Sequence, residues 1–327
     1  MAEQEQDEQS ALTLAMKDSK LEQIESRYQH LFSLLDPKSL SHGPDEWPHC
    51  EEKPNPHGDA EDVLFLGFYS EDGLRRIFAH YGFIEQLKQM IPGELSISIR
   101  RHPKGYDIFQ IHSDASPYPL VDLVARIDPL SDASHRLIGA QQSRFLRVKW
   151  LRMRNPFLQV NPDRPLFPGQ DFPGLGLGRE MLVLLKLMCV RVGLDGVVDV
   201  PERLHNAALY FRRFRFINPV KQGVVTAILR DTRQERLTDL AWGVELGLLS
   251  DTADQRAFRW VGEEQILPRT QPFVDYFSSA PYLQAAQEAM AAHRFRLRLH
   301  EVGIQISPTK PSAPEPQDDS SFLSRLK

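Results

Sequence analysis

Three alternating glycines, Gly174, Gly176 and Gly178, stand immediately before a long apolar segment that starts at Arg179. Glycine lets the backbone turn sharply, so amide N–H groups at such a place can point outward and approach a ligand closely. A helix beginning there adds about half a positive charge from its dipole. The backbone of Gly174, Leu175, Gly176, Leu177, Gly178 and Arg179 is therefore a candidate cradle for a pyrophosphate. A plain glycine-rich turn has the same composition, and spacing alone leaves both readings open. Further on, Asp199, Glu202 and His205 gather where a strand is expected to meet a helix. Of these, only His205 has an ordinary pKa, ~6.5, suited to proton transfer at neutral pH; a surface histidine making a local hydrogen bond is the alternative. Tyr210 falls one turn after Asn206, so the two share a helix face. A phenol there can donate a proton, or simply pack half-buried.

The elements that must hold these residues follow from the pattern around them. Residues 179–192 are apolar nearly all round, as in a buried helix, and Gly193 is a suitable stop. Cys189 lies inside that helix and is expected to be inert. Val197, Val198 and Val200 read as a short buried strand. Pro201 suits the first position of a second helix running to Phe214, with Leu204, Ala207, Ala208, Phe211 and Phe214 as its core stripe. Tyr210 lies beside that stripe, whereas Phe211 lies in it.

This order of glycine turn, helix, strand and helix resembles the central half of the GNAT superfamily of N-acetyltransferases. The likeness spans 171–216. Gly176-Leu177-Gly178 matches the end of that family's turn, Gln/Arg-x-x-Gly-x-Gly/Ala, with Pro173 in the Gln/Arg position. Asn206, Ala207, Ala208, Leu209, Tyr210 and Phe216 echo its later Asn…Ala…Leu-Tyr…Gly-Phe pattern, with Arg215 in place of the glycine. The resemblance implies an α+β fold: a mixed, mostly antiparallel central sheet flanked by helices, here with extra C-terminal helices. It implies that the 174–178 amides hold acetyl-CoA or another acyl-CoA as co-substrate, and that a splayed strand before the turn supplies an oxyanion donor. Tyr210 would then be the acid for the departing thiolate, with Asn206 beside it and His205 as base. The expected activity is an acyl-CoA-dependent N-acyltransferase acting on an unspecified amine. The alternative is a catalytically silent relative that binds acyl-CoA or a protein partner in a regulatory role.

Composition narrows the classes. The chain has 327 residues, 41% hydrophobic and 25% charged, enough to bury a large core. A net charge of −5 carries no nucleic-acid signature. No apolar run is long enough to span a bilayer, and the acidic start lacks a signal peptide's basic region. A cytoplasmic protein is expected. His42, His49, Cys50 and His57 match no zinc spacing, so no metal site is expected.

The remaining chain divides into three expected parts. Residues 1–62 form an extension with an amphipathic helix over 11–35 and a Pro/His-rich linker; residues 1–60, like 307–327, are expected to be dispensable for the fold. Residues 63–306 form the main domain, and 307–327 a disordered tail rich in proline. Within the domain, 63–69 reads as a first strand, 71–91 as two helices broken at Gly82, and 95–100, 106–112, 120–127 and 145–153 as strands. The run Arg144, Arg147, Lys149, Arg152 and Arg154 along the 145–153 strand reads as the charged guard of a solvated edge at least as well as a ligand site. Proline-rich 155–171 is an irregular insertion. Beyond Pro219, 223–230 reads as a strand, 237–249 as a helix, 258–267 as a last strand, and 272–295 as helix broken near Pro281. This helical surplus could form a lid, a substrate wall or a homodimer surface.

Overall fold

The computed structural model describes residues 20–41, 63–139, 142–161, 165–253 and 256–299. The expected tail over 307–327, the His42–His57 group and the start of the N-terminal helix lie outside them. In chain order, helices α1 (20–34) and α2 (Lys38–Ser41) lead to α3 (Glu71–His80) and α4 (Phe83–Met90). Strands β1 (Leu95–Arg101), β2 (Asp107–Ser113) and β3 (Val121–Asp128), helix α5 (Asp132–Ile138) and strand β4 (Phe145–Met153) follow. Then come α6 (Gly178–Val192), β5 (Gly196–Asp199), α7 (Leu204–Tyr210), β6 (Arg215–Phe216), α8 (Pro219–Asp231) and α9 (Leu237–Glu245). The C-terminal part holds β7 (Leu249–Asp251), β8 (Gln265–Pro268), α10 (Gln271–Ser278), α11 (Ala280–Ala292) and β9 (Phe295–Leu297).

Seven strands form one sheet in the order β1-β2-β3-β4-β5-β8-β6, and β7 pairs with β9 in a small second sheet. All pairs are antiparallel except β4 with β5. This is an α+β architecture with a mostly antiparallel sheet flanked by helices. Strand alternation assigns the faces. Ile97, Ile99, Phe109, Ile111 and Leu123 pack with α3, α4 and α6 in the main core. Gln110, Asp122 and Arg152 are register partners across β2, β3 and β4 and share the other face.

Several expectations are corrected. Segment 63–69 is a tight turn with one bridge, Phe65 to Tyr69, and Leu66 at φ 58°, because the chain reverses within it. Segment 223–230 is helical despite its β-branched residues. Asn218 accepts the Val220 N–H at 3.0 Å and Pro219 opens α8, while Gly223 lets the α11 backbone come close. Helix α7 starts at Leu204 rather than Pro201. The Pro201 carbonyl is engaged elsewhere, accepting the Trp260 indole N–H at 2.9 Å. Strand β4 is central, not an edge, and Arg147 reaches across to Glu264 at 2.7 Å. The last sheet strand is confined to Gln265–Pro268.

The N-terminal helix also differs from an extension. Leu21, Ile24 and Tyr28 of α1 enter the main core, and Tyr28 is fully buried. Glu25 pairs with Lys186 of α6 at 3.2 Å, and Arg191 donates to the Phe32 carbonyl. The Leu40 carbonyl accepts the Ser70 N–H at 3.0 Å. Residues 20–41 are thus part of the body that carries α6. The break at Gly82, the stop at Gly193 and the break before Pro281 stand where the pattern put them; both glycines are left-handed.

Candidate functional site

The glycine turn is anchored by its leucines and open at its glycines. Leu175 and Leu177 are buried in the main core, while Gly174 and Gly176 are exposed. The turn also leans on the end of β4. The Asn155 N–H donates to the Pro173 carbonyl at 2.7 Å, and a Cβ on Gly174 would stand 3.7 Å from the Met153 carbonyl. Gly176 sits at φ +76°, a left-handed conformation that costs other residues about 1–2 kcal/mol. Helix α6 begins at Gly178 with no side chain capping it. No group among the described residues accepts a hydrogen bond from the 174–178 amides. Unsatisfied N–H groups at an exposed helix start fit an anion such as pyrophosphate. Arg179, in the first turn, is half-buried.

Strands β4 and β5 part beside this turn. Their parallel pairing ends at Val148 with Asp199, whereas β4 continues to Met153. On its other side β4 carries a bulge: Ala125 pairs with Val148 and Val124 with Trp150, leaving Lys149 as the extra residue. A bulge strengthens local twist and re-aims the chain, here next to the point of separation.

Three groups meet near the head of α6. The Tyr210 hydroxyl is so near Gly178 that a Cβ there would lie 2.8 Å from it. The Tyr210 residue is half-buried overall, but its hydroxyl end is deep, and burial followed by the nearby Asp199 carboxylate raises its pKa. Asp199 closes β5, where burial pushes its carboxyl up to about 7. Its Oδ1 is sealed from solvent without a hydrogen-bond partner. Opposite it across the β5–β8 pair stands Gln265, fully buried, with neither amide atom hydrogen-bonded. Gln265 favours the charged carboxylate, but burial outweighs it.

The remaining sequence candidates separate. His205 is buried with its ring stacked on Phe167, centroids 4.6 Å apart and 11° from parallel. Burial, then the Arg203 charge, lower its pKa to about 4, so it is neutral at physiological pH. Asn206 is exposed on α7. Phe167 of the insertion thus lies against this helix, and the neighbouring Leu166 carbonyl accepts the indole N–H of Trp242 on α9 at 2.9 Å. Cys189 is buried, its thiol pushed up to about 12 and pointed at the Gly196 carbonyl. No group of His, Cys, Asp and Glu among the described residues is placed to hold a metal. No helix among them is long and apolar enough to cross a membrane.

Sequence reasoning passed over Asp199 because its ordinary pKa lies near 4. Its position at the end of a valine-rich strand was the available signal of burial. In comparison with known proteins, no protein-family model matches this chain, and no curated protein does.

Proposed function

We propose that this protein is a GNAT-like, acyl-CoA-dependent N-acyltransferase that moves an acetyl or related acyl group from a thioester to an amine. The observation that carries this reading is the Tyr210 hydroxyl set against Gly178, at the uncapped head of α6 and beside the Asp199 carboxyl. The departure of β4 from β5 just before the turn also supports it, since a splayed strand there is what the resemblance implies. One difference is the placement of α3 and α4 before the first sheet strand.

The chain's own groups divide the work. The 174–178 amides hold the pyrophosphate by hydrogen bonds and the helix dipole. Asp199, with its carboxyl near neutrality, accepts a proton from the amine as nitrogen bonds to the acyl carbon. Tyr210, kept protonated by burial, donates its proton to sulfur as the carbon–sulfur bond breaks. Return of the proton from Asp199 to the tyrosinate restores the starting state. His205 has no part in this scheme, because its ring is packed under the insertion.

Calorimetric titration with acetyl-CoA, paired with a thiol-release assay over a panel of amines, tests the proposal. The expected result is saturable binding and amine-dependent release of free CoA. Binding without turnover on any amine would favour the silent, regulatory alternative. Absence of binding heat, with no thermal shift, would sink the acyl-CoA reading altogether.

A further inference from the structure

Three sealed side-chain polar atoms without a hydrogen bond fall on one pair of register partners: Oδ1 of Asp199 and both amide atoms, Nε2 and Oε1, of Gln265. Such groups are ordinarily paired, because a buried donor or acceptor left bare costs stability. Gln265 is fully buried in β8, between β5 and β6. A leucine would fill that place without a bare amide, so packing alone does not account for the glutamine.

The pair faces the candidate site. Val197 and Leu267 are register partners two residues along from Asp199 and Gln265, and both are buried in the main core with α6. Side chains two apart on a strand share a face, so Asp199 and Gln265 point toward the helix whose head meets Tyr210. Val198 and Ile266, between them, fill a separate cluster on the other face. Opposed residues of an antiparallel pair have Cβ atoms about 4.5–5.5 Å apart, which puts a glutamine amide within reach of a carboxyl.

The surrounding elements bring no rival partner. Val148 of β4 pairs with Asp199 on one side, and Phe216 of β6 pairs with Gln265 on the other. The Gln222 amide oxygen is taken by the Phe216 N–H at 3.0 Å. Tyr210 of α7 is the titratable group coupled to Asp199. Burial and hydrogen-bonding groups, rather than neighbouring charges, act on the carboxyl itself. Of its two oxygens only Oδ1 is both sealed and unbonded, and the residue as a whole is half-buried. Turning the Gln265 amide about its last torsion exchanges nitrogen and oxygen, and only the nitrogen end bonds a carboxylate.

We propose that Gln265 is the positioning residue for Asp199. Its Nε2–H donates to the sealed Oδ1, which accepts whether the carboxyl is ionised or protonated, and so holds Oδ2 toward the acceptor amine. The amine's proton passes to Oδ2 as nitrogen bonds to the acyl carbon. The Gln265 bond is strongest before that step, while the carboxylate still carries its charge. The proposal rests on the acyltransferase reading for the role of Asp199 as base, but not for the pairing.

The test follows the Asp199 carboxyl by carbon-13 NMR across the neutral pH range, with Asp199→Asn identifying its signal. In wild type the side-chain amide nitrogen of Gln265 should shift with the same midpoint. Gln265→Leu removes the donor at similar volume, and Gln265→Met keeps the length if the branched side chain does not fit. In either folded variant the carboxyl should titrate about one pH unit higher, the size of one charge-assisted hydrogen bond. The rise of turnover with pH should move up by the same amount, with acetyl-CoA affinity unchanged. A Gln265 signal that stays flat through the Asp199 titration would overturn the proposal. So would a midpoint unmoved or lowered in a folded variant, which would leave Gln265 as a packing residue. A raised midpoint with an unmoved turnover profile would remove the pair from the reaction. If no amine is acylated yet the carboxyl titrates higher in the variants, the pairing stands and the transferase reading falls. If amines are acylated and the midpoint stays put, the transferase reading stands and the pairing falls.

Discussion

The Tyr210 hydroxyl and the α-carbon of Gly178 occupy adjoining space: a Cβ on Gly178 would meet the oxygen at 2.8 Å and the ring carbon bearing it at 3.8 Å. The oxygen would have to shift to admit a side chain at 178, while the ring carbon behind it is at ordinary contact distance. Gly178→Ala should therefore cost about 1–3 kcal/mol of stability in wild type, the scale of a tight misfit. In a Tyr210→Phe background the same change should be nearly neutral. Melts of the four proteins in a double-mutant cycle check this, and additive effects would show that the two residues do not touch.

Tyr210→Phe alone separates packing from chemistry. As the acid, Tyr210 acts in the transition state, so kcat should fall by about 10²–10⁴ with acetyl-CoA affinity preserved. Steady-state kinetics with calorimetry on the same samples decides. Unaltered turnover under chemistry-limited conditions would leave the tyrosine as a packing residue.

The glycines of the turn should divide by conformation. Gly176, at φ +76°, has open space around it, so Gly176→Ala should lose about 1–2 kcal/mol through backbone strain alone. Gly174 has no such φ, and its nearest neighbour would be 3.7 Å away, so Gly174→Val should fold normally. Its side chain would stand over the exposed amides, and acetyl-CoA should bind at least ten-fold more weakly, about one bond's worth. Unchanged affinity in a folded Gly174→Val would move the pyrophosphate elsewhere.

Asp199 makes a pH prediction whose sign follows from burial. Its carboxyl is raised to about 7 in the folded protein, so between about pH 4 and 7 the folded state holds a proton that the unfolded chain has lost. Stability from this group is present at low pH and disappears as pH rises through that window. His205, lowered to about 4, acts in the opposite sense between about 4 and 6.5, so wild-type melts contain both effects. Asp199→Asn removes one of them. Its melting temperature should gain on wild type from pH 5 to pH 7 and the difference should level off above that. Wild-type turnover should rise through pH 7, and the Asn variant should lose that rise.

Tyr28 tests whether α1 belongs to the core. Its ring is fully buried, tilted against Tyr81 at 4.6 Å, and its hydroxyl is sealed without a hydrogen bond, although Arg27 lies over the ring at 5.0 Å. Tyr28→Phe should be neutral or stabilising by about 1 kcal/mol, because an unsatisfied polar group is removed. Tyr28→Ala should cost about 3–5 kcal/mol, lowering the melting temperature by roughly 10 °C. A fragment starting at residue 61 that melts like the full chain would contradict the packing of α1.

Local signals in the chain were enough for much of the frame. Gly82 and Gly193 end helices because a left-handed residue without Cβ is cheap there, and the 95–100 alternation marks a strand with one wet face. The Gly174–Gly178 turn and the Asn206–Tyr210 face are likewise local geometry. Segment 223–230 misled because its β-branched residues suit a strand, and only the cap at Asn218 and the close approach of α11 to Gly223 favour the helix. Burial was beyond sequence reasoning, because it depends on residues distant along the chain. It pushes Asp199 up and His205 down, reversing which of them can serve as a base near neutrality. It also turns Arg154 from one charge in a run into an enclosed cation, and makes α1 part of the core. Periodicity states which side a residue faces; what stands on that side is settled by the packing of the whole chain, and desolvation follows from that packing.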